Sequence, residues 1–390
     1  MYLKKRKRIV FIGHEASLSG APVLLSNLLL LLKKEANLEI FLVIKRYGTF
    51  LKNYEAEFPL IVLKGKNYGK ESNLLKRIVN AALNRFRLTQ LFFKAAFADV
   101  IFSNTITNGR LLKLLYPFKK RIVTYVHELE SVIEWYMPSG DSAYSLHNSQ
   151  RFAYPSLKVA QVLEKKYKID QNKLYRLSYY FPVDLTIIAD EIAKRNFATA
   201  FREKYNLAGS FLVGNAGVLC KRKGTDLFIE VCRKVSTVNK NIKFCWIGKF
   251  EDAIIERELM ELIRENKMED HIVLTGALTH NYFNFSSFDL LFLSSREDPY
   301  PLVVLESAFM KVPAICFEDA GGIAEFVDAG AGWPIKDFSI DDAANKILEL
   351  FNSSRELIRE RGETAFRKAL ELHSDKKIIL DQFNQLINGL

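Results

Sequence analysis

The chain of 390 residues is 49% hydrophobic and 26% charged, a balance that excludes a disordered tail or a fibre. Its net charge of +11 is unevenly spread, +15 over residues 1–190 and −4 over residues 191–390, which directs an anionic partner to the first half. The richest apolar run, 21–32, is broken by Ser26 and Asn27 and falls short of the roughly 18–20 residues that cross a bilayer; the apolar run 9–13 behind the basic start is too short for a signal peptide, so the expected location is the cytoplasm.

In chain order, 8–13 reads as a strand, 22–34 as a helix, 39–45 and 60–64 as strands, 73–97 as a long helical pattern, and 100–103 and 121–126 as buried strands. After the aromatic stretch 179–182 the pattern restarts: helical to about 205, strand 211–216, helix 225–234, strand 242–247, helix 252–266, then strands 272–275 and 290–293. Strands alternating with helices imply parallel sheets covered on both faces. Two doubly wound domains follow, 1–185 and 186–374, with a terminal helical stretch, 375–390. The four cysteines, Cys220, Cys232, Cys245 and Cys316, lack Cys-x-x-Cys spacing and sit among apolar residues, so neither a disulfide framework nor a zinc site is expected.

In open parallel sheets ligands bind beyond the carboxyl ends of strands, so the residues after each strand carry the chemistry. Residues 291–310 (LFLSSREDPYPLVVLESAFM) run from a strand through a polar loop into a helix. Pro301 suits the first helical position, leaving the amides of Leu302 and Val303 at a helix N-terminus that favours an anion such as phosphate. Glu306 is the one ionisable residue within 301–310, on a helix apolar all round and hence buried. A buried carboxylate needs donors: a neighbouring lysine or amide, or a vicinal diol of a ligand. Asp298, eight residues earlier, either reaches the same cavity or caps the helix.

This acidic-x7-Glu pattern after a Ser-rich strand end, followed by 311–316 (KVPAIC) and 320–325 (AGGIAE), resembles the nucleotide-sugar signature of family 4 glycosyltransferases. The resemblance implies a GT-B fold, two doubly wound Rossmann-like domains facing across a cleft, with the terminal helix crossing back to the N-terminal domain. It assigns Glu306 to the ribose hydroxyls, Asp298 to the donor sugar, and Leu302 and Val303 to the diphosphate. The usual first acidic residue of the pattern is Glu; here the spacing lands on Asp298, with Glu297 one position off.

Residues 214–228 (GNAGVLCKRKGTDLF) are similar to the family's Gly-Arg-Leu and Lys-Gly element, with Lys223 at the lysine and Val218 at the usual arginine. A cation here neutralises charge on the departing diphosphate, and Arg222 stands next to it; the bland alternative is a pair of solvated cations in a surface turn. Residues 11–25 (FIGHEASLSGAPVLL) resemble the family's first loop, where Gly20 lets backbone approach a donor phosphate and His14 and Glu15 lie on the acceptor side. In 123–130 (VTYVHELE), His127 ends a buried strand where the family places a residue near the transferred sugar, and Glu128 follows it. Asn104, also at a strand end, belongs to an acceptor or structural loop.

The resulting expectation is a retaining, metal-independent glycosyltransferase of the cell envelope, with His127, Lys223 and Asp298 as catalytic residues. It uses a nucleoside-diphosphate sugar as substrate and no cofactor, and a glycan or lipid-linked acceptor; no Asp-x-Asp motif calls for a metal. The basic, acid-free stretch 73–97 suits either the face of an anionic membrane or a solvated helix covering the sheet. No nucleic-acid-binding signature accompanies the charge. The rival readings are a catalytically silent nucleotide-sugar-binding protein and a GT-B epimerase or hydrolase.

Overall fold

The computed structural model describes residues 6–17, 20–64, 74–279 and 282–390. Ser19 of the first loop and Asn73 of the long helical pattern lie outside the described residues. The chain forms two compact units, one of Met1–Pro182 with Asp375–Leu390, the other of Val183–Ser374.

The first unit holds β1 (Lys7–Glu15), β2 (Leu38–Arg46), β3 (Leu60–Lys64), β4 (Val100–Ser103), β5 (Ile122–Tyr125), β6 (Arg151–Tyr154) and β7 (Leu174–Arg176). They form one parallel sheet in the order β3-β2-β1-β4-β5-β6-β7. Every residue of β4 and β5 is buried, as strands covered on both faces require. The strand order reverses between β1 and β4, and at such a switch point the loops leaving neighbouring strands diverge and open a crevice.

The second unit repeats the plan with β8 (Phe211–Ala216), β9 (Ile242–Ile247), β10 (Ile272–Leu274), β11 (Leu290–Leu293), β12 (Ala314–Phe317) and β13 (Gly332–Ile335), in the order β10-β9-β8-β11-β12-β13, again parallel throughout. Its switch lies between β8 and β11. Phe228, Phe244, Trp246 and Phe292 fill its core in edge-to-face and stacked pairs 5.1–5.9 Å apart.

The strands not anticipated from sequence are β6, β7, β12 and β13. The first two are four and three residues long and carry Arg151 and Arg176; β13 contains Pro334, whose missing N–H is tolerated because β13 is an edge strand. Pro301 is the residue before the helix Leu302–Phe309, in extended conformation, one position earlier than expected. Leu302 and Val303 therefore occupy its first two positions.

The helix Lys376–Ile387 belongs to the first unit. Phe383 enters the core beside Phe11 at 6.3 Å and Phe102 at 6.0 Å. Asp375 caps its start by accepting the Lys377 amide at 2.8 Å. At its end, Lys7 Nζ donates to Ile387 O at 2.8 Å, and Arg151 donates to Leu386 O at 2.8 Å and Asn388 O at 2.6 Å. Cations thus satisfy the orphan carbonyls of the last turn and oppose its dipole.

Candidate functional site

In the second unit, the loop after β8 and the loop after β11 meet at the switch point. Gly224, at φ 65°, ends the first loop, and a Cβ there would lie 1.9 Å from Ser294 O, so only glycine allows this approach. Ser294 Oγ donates to Lys223 O at 3.2 Å, and the Arg296 amide donates to Arg222 O at 2.9 Å. These bonds bring Lys223 Nζ into an ion pair with the Asp298 carboxylate, both side chains largely buried.

Asp298 is held from behind as well. Its amide donates to Ala320 O at 2.7 Å, and a Cβ on Gly321 would stand 1.7 Å from Asp298 O, which explains the glycine at 321. Beyond Asp298, the helix Leu302–Phe309 begins with the amides of Leu302 and Val303, for which the first turn has no intrahelical acceptor. Glu306 lies one turn further, 7% exposed, and burial pushes its carboxyl up to about 7. Tyr282, which sequence reasoning passed over, is pushed up to about 12 by burial and then by the nearby charge of Glu306. A cation, a helix N-terminus and a buried carboxylate are thereby lined along one strand-to-helix junction.

Arg222 takes a different course from Lys223. Its Nη1 donates to Glu297 O at 2.9 Å, so it ties the two loops together through backbone. Val218 is 38% exposed beside them. The unforeseen charge in this region is Arg296, which grips Asp226 through two bonds of 2.6 and 2.7 Å.

In the first unit, His127 follows β5 between two aromatic rings, 4.0 Å from Tyr125 and 5.5 Å from Tyr179 by ring centres. Asn104 Nδ2 donates to Ala21 O at 3.1 Å, which turns its Oδ1 to His127 Nε2 at 3.1 Å. Nε2 therefore carries the proton, and Nδ1 accepts from the Tyr179 hydroxyl at 3.1 Å. Burial, then the neighbouring His14, holds His127 down at about 3. It is a neutral imidazole with both nitrogens engaged, and Tyr179, 52 residues away, had no sequence signal.

Glu128 points the other way from that role. Its carboxylate accepts the Thr105 hydroxyl and the amides of His127 at 2.9 Å and Ile106 at 3.4 Å, pinning the turn after β4 to the end of β5. Burial pushes it up to about 7. Glu15 accepts from Ser17 Oγ at 2.6 Å, and His14 Nε2 lies 3.7 Å from Glu15. Burial first lowers the basicity of His14, against the pull of Glu15. Gly20 opens the helix Gly20–Glu35. His14, Asn104 and His127 are thus brought together, with Glu15 adjoining them, whereas Glu128 is absorbed into the scaffold.

Two parallel-sheet Rossmann-like units with these strand-end loops define a GT-B fold. Residues 197–368, within the second unit, match the family described as glycosyl transferases group 1. The crystal structure of Anabaena HepE in complex with UDP and glucose superposes with a TM-score of 0.78 at 15% identity, covering 99% of this chain and 100% of that one. In sequence, the chain is 27% identical over 179 residues to the poly(ribitol-phosphate) alpha-N-acetylglucosaminyltransferase of Staphylococcus aureus, 46% of this chain and 35% of that protein. It also resembles the O-antigen biosynthesis glycosyltransferase WclY of Escherichia coli, at 27% identity over 33% of this chain and 35% of WclY, and at 22% over 79% of each. The first of these alignments span about a third of the relatives' length, 35% in each case.

Proposed function

We propose that this protein is a retaining glycosyltransferase that moves a sugar from a nucleoside-diphosphate donor to a hydroxyl of a cell-envelope glycan or lipid-linked acceptor. The observation that carries the reading is the junction after β11: the Lys223–Asp298 pair, the N-terminus of Leu302–Phe309 and buried Glu306 in one row. Amides at the helix start and the Lys223 ammonium stabilise the charge that grows on a departing diphosphate. Glu306 takes the ribose diol through its two oxygens. Asp298, held by Lys223, faces the sugar, and its anion stabilises positive charge at the anomeric carbon. His127, neutral and with both ring nitrogens held by Asn104 and Tyr179, moves no proton.

The departing phosphate itself accepts the acceptor hydroxyl's proton, so the same face of the sugar is attacked and left. On this reading no divalent metal or cofactor is required. Turnover of a radiolabelled uridine-diphosphate sugar with and without a glycan acceptor, in EDTA, tests the proposal; the uridine nucleotide comes first because HepE was crystallised with it. Hydrolysis independent of acceptor, or a strict need for added metal, would overturn it.

The acceptor side of the reading includes peripheral contact with the cytoplasmic face of an anionic membrane. The helix Leu74–Ala96 contains no acidic residue and exposes Val79 at 55%, Leu83 at 43%, Phe86 at 61% and Phe93 at 59%, spaced to share one face, with Lys76, Arg77 and Arg85 also exposed. Among the described residues no helix is long and apolar enough to cross a membrane. Co-sedimentation with anionic vesicles at low salt, lost at high salt and weakened when Lys76, Arg77, Arg85 and Arg87 become Gln, is the expected result. Failure to bind anionic vesicles would leave the helix without this role.

A further inference from the structure

At the carboxyl ends of β1 and β2 the first unit gathers basic side chains that the reading above leaves unused. Gly13 is in register with Ile44 and Glu15 with Arg46, so His14 and Lys45 are neighbours on one face of the sheet. Lys45 is 17% exposed; its Nζ donates to Thr107 O at 3.2 Å and lies 4.0 Å from Asp141. Asp141 is fully buried, and its closer partner is Arg110, through Nε at 2.9 Å and the amide at 2.8 Å.

Two cations therefore share one carboxylate, and Lys45 has the distant share. Burial is the first cause lowering its basicity; Arg46, Arg110 and Lys64 lower it further against Asp141. A desolvated ammonium in a net positive setting gains from an added anion. Arg110 brings a guanidinium fork that is 61% exposed, and Lys45 brings a point charge, the two cation types that bind phosphate oxygens. The row continues through His14, whose charge acts on His127, to the crevice after β5.

We propose that Lys45 and Arg110, with His14 beside them, hold a phosphoester group of the acceptor. The inference deepens the acceptor half of the function proposed above and rests on it for the word acceptor; the anion site itself stands on the geometry.

Isothermal titration calorimetry of the full chain tests it with two probes, inorganic phosphate and a glycerol phosphate oligomer, each with and without a saturating nucleoside diphosphate. The oligomer is expected to bind in the presence of the nucleotide. Lys45→Met and Arg110→Gln should each weaken it tenfold or more, and Arg110→Lys, which keeps the charge, by threefold or less. Nucleoside diphosphate affinity should stay within twofold in all three, and circular dichroism spectra matching the parent certify that the first unit folds.

Oligomer binding unchanged in the first two variants would overturn the site. Competition between oligomer and nucleotide would assign the phosphate contact to the donor. Binding of inorganic phosphate alone would make it a free-phosphate site, and binding of neither probe would remove it. If no nucleotide sugar is turned over while oligomer binding still depends on Lys45 and Arg110, the transferase reading falls and the anion site survives.

Discussion

The two units repeat one sheet plan and handle charge in opposite ways at the ends of their strands. The second places opposite charges in contact, Lys223 with Asp298 and Arg296 with Asp226, around a helix start. The first surrounds a neutral histidine with tyrosines and an amide, and keeps its unbalanced cations apart from it, Lys45 on β2 and Arg110 in the helix after β4. On the proposed function the difference has a physical reason. A diphosphate brings negative charge that must be met by a fixed array, whereas a sugar hydroxyl is held by neutral groups whose directions are set by hydrogen bonds.

Removing the cation of the charged site is the harshest test of that contrast. Lys223→Ala should lower kcat about a hundredfold or more, the scale of losing one preorganised electrostatic partner, as measured with a saturating donor. A change below about fivefold would erase the distinction, since the site would then not depend on its ion pair. Next comes Glu306→Gln, expected to weaken nucleoside diphosphate binding by about 1.5–3 kcal/mol in calorimetry. Equal affinity would remove the diol assignment.

Glu306 also links the site to pH. Its folded value of about 7 lies above the ordinary carboxyl value, so its contribution to stability is full below the unfolded pKa and is lost as pH rises through about 7. Glu306→Gln should therefore raise Tm relative to the parent more at pH 8 than at pH 4, and a pH-independent difference would contradict the assigned burial. A diol bound to the ionised form implies proton release on nucleotide binding near neutral pH, read from titrations in buffers of different ionisation enthalpy.

The neutral site has the opposite sign. His127 is held at about 3, so its contribution is present above the ordinary histidine value and lost as pH falls from about 6.5 toward 3. Nitrogen-resolved NMR of the imidazole is expected to show one unchanging neutral tautomer, protonated at Nε2, from pH 5 to 9. A titration in that range would mean that His127 carries a charge and that the two units are less different than drawn. The smallest effect belongs to Arg222→Ala, about fivefold or less in kcat/KM, because its exposed bond to Glu297 O is worth about 1 kcal/mol.

How much of this could be read beforehand also divides between the units. The alternation of strands and helices announced both sheets, because buried parallel strands are nearly continuous apolar runs. β6, β7, β12 and β13 escaped because runs of three or four residues, three of them bearing Arg151, Arg176 or Pro334, have no period to detect. In the second unit Lys223, Asp298, Leu302, Val303 and Glu306 are carried by two short segments whose glycines and prolines mark the turns. The partners of His127 come from β4's end and from Tyr179, so its environment is a product of topology. Lys45 and Arg110 are likewise 65 positions apart, and only Asp141, from a third segment, brings their charges into one account.

The helix Lys376–Ile387 gives the first unit an order of assembly as well as a core residue. Its carbonyls are held by Lys7 and Arg151, near the beginning and middle of the chain, while the whole of Val183–Ser374 is made in between. At about 5–20 residues per second, a growing chain synthesises the second unit for some 10–40 seconds before the first can close over Phe11 and Phe102. The unit that begins first is thus finished last, and in the interval Phe11 and Phe102 lack the ring of Phe383 that packs against them.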